Sequence, residues 1–242
     1  MIKQYLYVLA LICAPFCAAD APWHVDDFVA VYQAKVGIAR GQTRLQLRRE
    51  EGNRFVVESW TQLTGVVGFF KRGEIYEYCD FDYVEGQILP RTFERSDDIS
   101  GEDRNVRVAY DWSHGRATIA YQDSTSTVDI EPGVTNTLLM QVALMQSLTS
   151  GTRTPSFDVV GHKGRLRFDV SYEGDDRISI DGEQRALLRY SHSRVDSGIR
   201  TTFWAAPERA HLPLRARIEK NRKLKGQLEL IDSSVAVALA SD

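Results

Sequence analysis

Leu138-Leu139-Met140-Gln141-Val142-Ala143-Leu144-Met145-Gln146-Ser147-Leu148 is the stretch on which the fold turns. Eight of these eleven residues are apolar, and they do not alternate with polar ones. Pro132-Gly133 stops whatever precedes them. Thr135 or Asn136 offers a side-chain oxygen to the first free amides of a helix. Gly151 suits a helix exit. The spacing predicts a helix over about residues 135–150. Its apolar side chains cover most of the circumference, so it must be buried on most sides. A flat sheet would cover only one of them. The expected fold is therefore mainly β: a curved antiparallel sheet, a half-barrel or roll, wrapped around one long buried helix.

The flanking sequence supplies that sheet. Phe28, Ala30, Tyr32, Ala34 and Val36 alternate with Val29, Val31, Gln33 and Lys35. Phe55-Val57-Ser59 and Val106-Val108-Tyr110 repeat the period of two, which puts alternate side chains on opposite faces. Turn residues punctuate the strands: Glu51-Gly52-Asn53, Glu85-Gly86, Ser113-His114-Gly115, Glu173-Gly174-Asp175, Asp181-Gly182 and Lys225-Gly226. So many sequential hairpins imply a meander. No linker divides the chain, so residues 20–242 read as one β-rich domain with a loose tail at about 235–242.

Residues 1–19 have the layout of a secretory signal peptide: Lys3, an apolar run from Tyr5 to Phe16, then Cys17-Ala18-Ala19. The run is shorter than the roughly 20 residues of a membrane span. Export, into a periplasm, is the expected address. Cys13 and Cys17 fall in that segment, leaving Cys79 without a disulfide partner. Its strand neighbours Ile75 and Phe81 make it a small buried hydrophobe. The formal net charge of −3 argues against a nucleic-acid partner, which calls for a basic surface.

Three further segments carry a likeness. Tyr32-Gln33-Ala34-Lys35-Val36-Gly37-Ile38 with Gly41, the helix between Val134 and Gly151, and Thr202-Phe203-Trp204-Ala205 followed by Leu212-Pro213-Leu214-Arg215 occur in that order. This order resembles a bacterial exported family catalogued as domain of unknown function 3108. The resemblance implies a β-rich protein of the cell envelope and lends no catalytic residues. At the level of fold alone, a curled sheet cradling helices also resembles periplasmic carriers of lipoproteins.

Val66, Val67, Phe69 and Phe70, among glycines and followed by Lys71 and Arg72, form the candidate contact site. Apolar residues in a loop position mark a ligand, partner or membrane surface, where the two basic residues would meet head groups. The alternative is that the four apolar side chains tuck into the mouth of the sheet. His24, His114, His162, His192 and His211 show no metal-ligand spacing and read as surface residues. Asp97-Asp98 and Asp175-Asp176 read as solvated turns, and Asp80 with Asp82 as a possible carboxylate pair on one strand face. Lys220-Asn221-Arg222-Lys223 reads as the exposed end of a hairpin. No GxSxG or phosphate-binding loop is present, and no cofactor is implied. The expected role is a non-enzymatic binding or carrier module for an apolar ligand or envelope component, with peripheral membrane contact. The alternatives are an assembly factor docking a partner protein and, last, a carboxylate-based enzyme.

Overall fold

The computed structural model describes residues 22–65, 68, 73–99, 104–180, 182–194 and 198–234. Among them, fifteen strands form a single sheet. The first eight are β1 (Phe28–Val36), β2 (Ala39–Arg49), β3 (Arg54–Thr64), β4 (Glu74–Val84), β5 (Gln87–Asp97), β6 (Val106–Asp111), β7 (Arg116–Tyr121) and β8 (Ser124–Asp129). A short β9 (Val134–Asn136) and the helix α1 (Leu139–Thr149) follow. The chain returns through β10 (Ser156–Gly161), β11 (Gly164–Ile180), β12 (Glu183–Arg194), β13 (Ile199–Ala206), β14 (Leu212–Lys220) and β15 (Lys223–Ser233).

The spatial order runs from β8 back to β1, then from β15 back to β9. The sheet is thus two meanders joined where β1 pairs with β15. Every pairing is antiparallel except β9 with β10. The end strands β8 and β9 are not paired with each other, so the sheet is open rather than closed. Its two ends nevertheless approach: β9 lies near β5, and the rings of Tyr121 and His162 are 4.9 Å apart.

The helix is shorter than its sequence implied. Val134–Asn136 pair with Asp158–Val160 as a strand instead of starting the helix. The apolar run then yields eleven residues, Leu139–Thr149. Asn136 still acts as the cap: its Oδ1 accepts from the amides of Leu138 and Leu139 at 3.1 and 2.9 Å. At the exit Gly151 has φ +90°. Gly151 N–H donates to Leu148 O and Thr152 N–H to Ser147 O, the paired bonds of a Schellman motif. No residue from Leu138 to Thr149 is fully exposed. Leu139, Val142 and Met145 pack with the strands β1–β7 and with β13 and β14. Ala143, Leu144 and Leu148 pack with Phe157, Val170, Tyr190 and Phe203 of the second meander.

Two expected turns are not turns. Glu173-Gly174-Asp175 lies inside β11, where the ladder with β12 shifts register between Tyr172 and Gly174. Gly174 takes φ +115°, which a bulge absorbs without ending the strand. Lys225-Gly226 likewise lies within β15, and the hairpin turns at Asn221-Arg222, with φ +52° and +64°. Two consecutive positive φ values suit the twist of a two-residue hairpin.

Candidate functional site

The inner face of the first meander is best followed across the strands. Phe28 lies opposite Leu47, then Val57, Cys79, Phe93, Val108 and Ile119. All seven are buried apolar residues, and this row is packed core. Two residues along, the row reads Ala30, Leu45, Ser59, Glu77 and Arg95. Two further along it reads Tyr32, Thr43, Thr61, Ile75 and Asp97. The period of two keeps all three rows on one face. Polarity therefore rises along the face within five residues of each strand.

The packed end is sealed by the segment before β1. Trp23 lies 4.6 Å from the Phe55 ring and 4.9 Å from that of Tyr83. Gln146 of α1 accepts from His24 N–H at 2.8 Å and donates to Pro22 O at 3.0 Å. Beyond this seal, between the mixed rows and the start of α1, lies a cleft of about 320 Å³. Such a volume is at the lower end of ligand sites, about 300–1,000 Å³. Leu138, Met140, Gln141 and Leu144 line its helix side, and Phe203, Ala216 and Leu228 its far wall. A second hollow of about 400 Å³ shares Thr61 with it and continues past Ala34, Val36, Leu63 and Ile75. Val36 is 61 % exposed and Ile38 94 %, so this end faces solvent.

The cleft's polar groups differ in state. Thr43 and Thr61 hydroxyls bond each other at 2.8 Å. Glu77 Oε1 accepts from Arg95 Nη1 at 2.9 Å, and Arg95 Nη2 reaches Asp97 Oδ2 at 3.1 Å. Tyr32 Oη is buried and has no partner of proper hydrogen-bonding geometry. Burial pushes its pKa up, and the neighbouring Gln141 amide partly offsets this, the influence of a donor. The Tyr32 proton itself therefore has no acceptor. His192 sits between Phe168 and Phe203, 5.5 and 6.2 Å from their ring centres. Burial lowers its pKa to about 4, so it is neutral at pH 7.

Most of the loop singled out from sequence falls elsewhere: Val66, Val67, Phe69, Phe70, Lys71 and Arg72 lie outside the described residues, as do residues 1–21 and 235–242. His192 is not a surface residue but part of the cleft wall. His211 is also half-buried, with Nδ1 3.2 Å from Thr149 Oγ1. Asp97 ends β5 as a buried partner of Arg95 rather than in a solvated turn. Asp80 and Asp82 are bound by arginines: Asp80 by Arg54 at 2.5 Å and Arg91 at 3.4 Å, Asp82 by Arg91 at 3.3 Å. Among the described residues, no three His, Cys, Asp or Glu side chains gather where a metal ion could sit. No helix among them is long and apolar enough to cross a membrane. The sequence signal for the cleft was the polar drift Val57-Ser59-Thr61 and Cys79-Glu77, legible only once the register is known.

The chain matches, over residues 29–221, the family described as protein of unknown function (DUF3108). It belongs to that family. This DUF3108 chain is also similar in fold to a β-barrel-like protein of domain of unknown function DUF1849 from Brucella abortus. The TM-score is 0.59 at 9 % identity, covering 88 % of this chain and 99 % of the other. Two weaker likenesses are MucB, with TM-score 0.35 and 10 % identity over 90 % of this chain and 56 % of that one, and a putative exported protein with a YmcC-like fold from Bacteroides fragilis, with TM-score 0.34 and 9 % identity over 90 % and 100 %. Comparison with curated proteins returned no match.

Proposed function

We propose that this DUF3108 chain is an exported, non-enzymatic carrier that holds an apolar ligand or envelope component in the cleft beneath α1. In this reading the open sheet curls about the short helix and leaves the cleft as a concave guest site. One observation carries it. Side chains on one face pack to completion in the Phe28 row, yet two to four residues further along β1–β4 the same face borders unfilled volume. Its lining includes Leu45, Leu138, Met140, Leu144, Phe203 and Leu228. Unfilled apolar volume costs stability, because its lining atoms lose dispersion contacts. A ligand that enters regains them.

The test is gentle purification from the native compartment followed by native mass spectrometry, beside titration of the purified chain with the uncharged dye N-phenyl-1-naphthylamine. A bound acyl species, or saturable dye binding that Ala216→Trp abolishes without unfolding, is the expected result. Ala216 lines the cleft from β14 and is only half-buried, so an indole there fills the space rather than the core. No bound species and no saturable binding would overturn the proposal.

A docking role is the second reading. It draws on the exposed Val36 and Ile38 at the open end. A dominant crosslink from position 38 to one envelope protein, with an empty cleft, would favour it.

A further inference from the structure

The cleft is apolar but not featureless, and its polar groups discriminate between ligand classes. Of the described residues lining it, Glu77 carries the one carboxyl group and none is Lys or Arg, while burial keeps His192 neutral at pH 7. Behind Glu77 stand Arg95 and Asp97. The two terminal nitrogens of Arg95 are engaged by these carboxylates and are not offered to the cleft. Arg40 lines the entrance hollow, but among the described residues lining the cleft beyond it there is no Lys or Arg to pair with a buried anion. The cost of leaving it unpaired is high where burial lowers the effective dielectric. The opposite holds for an uncharged acceptor. Tyr32, on the same wall, keeps its proton and has nowhere to donate it. Gln141 beside it is a half-buried side chain that also lines the cleft.

We infer that the cleft takes a single acyl chain bearing an uncharged carbonyl, an ester or an amide, and disfavours a free carboxylate; the inference rests on the carrier reading above. The chain enters between Val36 and Leu63 and lies along Leu45, Leu138 and Leu144. Its carbonyl oxygen accepts the Tyr32 proton. The 320 Å³ of the cleft suits one chain rather than two.

The experiment uses the full chain loaded with N-phenyl-1-naphthylamine and displaces the dye with either monolauroylglycerol or dodecanoate at pH 7.5, both below their aggregation concentrations. The ester should bind at least tenfold more tightly than the acid. Tyr32→Phe should weaken the ester by about tenfold, the worth of one hydrogen bond, and leave dodecanoate unchanged. The same variant should melt no lower than the parent, since the hydroxyl it loses is unpaired. Glu77→Gln should tighten dodecanoate. Dodecanoate binding as tightly as the ester would overturn the inference. So would an ester preference that survives Tyr32→Phe. Should Tyr32→Phe fail to fold, Glu77→Gln decides: unchanged dodecanoate affinity counts against the inference. If the dye itself does not bind, the carrier reading fails and takes this inference with it. Equal displacement by both probes removes the inference alone.

Discussion

Asn136 Nδ2 donates to Cys79 Sγ at 3.1 Å. The other end of the same amide accepts from the first helical N–H groups. One side chain thus ties the middle of β4 to the start of α1, and both partners are fully buried. The pair holds the helix over the packed row, with the cleft between the start of the helix and the neighbouring rows.

Asn136→Ala strips that tie and leaves two buried amides without an acceptor. The expected loss is about 1–3 kcal/mol of stability, read by urea unfolding. Asn136→Asp keeps an acceptor for the two amides but gives up the donor to Cys79 and buries a charge, so it should be no better. Wild-type stability in Asn136→Ala would show that the capping bonds are not needed.

Cys79 should not react with thiol reagents in the native state. It is fully buried and its pKa is pushed up, chiefly by that burial, so little thiolate forms. Titration with a chromogenic disulfide should label nothing at pH 8 and one thiol in urea for a chain lacking residues 1–19. Rapid native labelling would contradict the buried placement.

Acid should destabilise the protein partly through His192. Folding lowers its pKa from the ordinary 6.5 to about 4, through burial. The unfolded chain therefore binds more protons between those values. Stability from this group is complete above about pH 6.5 and is lost as pH falls towards 4, by at most about 3 kcal/mol. Burial lowers the His211 pKa as well, so it acts in the same direction. Urea unfolding at pH 7 and pH 4.5 should show a smaller drop for His192→Gln than for the parent. An equal drop would exclude the residue.

Asp80 should be structural. Its carboxylate is buried, held by Arg54 and Arg91, and accepts from Thr92 N–H at 3.1 Å and from the Thr92 hydroxyl. Asp80→Asn removes the charge that these four donor groups share. Both arginines are about half exposed and can rehydrate, so the expected cost is about 1–3 kcal/mol rather than that of a fully buried pair. Ligand affinity should not change, because Asp80 is on the opposite face from Cys79 and Glu77. A large change in dye binding with stability intact would reverse that assignment.

Much of the architecture is written locally. The alternation from Phe28 to Val36 and the turn at Ser113-His114-Gly115 need only a period and a permissive backbone. The Gly151 exit and the Asn136 cap need only the bonding capacity of a few adjacent residues. Where the reading slipped, a distant partner intervened. Val134–Asn136 became a strand because β10 offered a ladder. Gly174 became a bulge because β12 continued past it.

The chain's order of residues was enough to determine the β class, most of the hairpin succession and the presence of a largely apolar helix, because those follow from propensity and periodicity within a few residues. Tertiary structure alone decided that Tyr32, Glu77 and His192 border one cleft, since they come from three strands far apart in the chain. It also decided which inner-facing row is filled and which is not. Register sets the first and the seat of the helix sets the second, and both are outcomes of long-range packing that no short window of sequence contains.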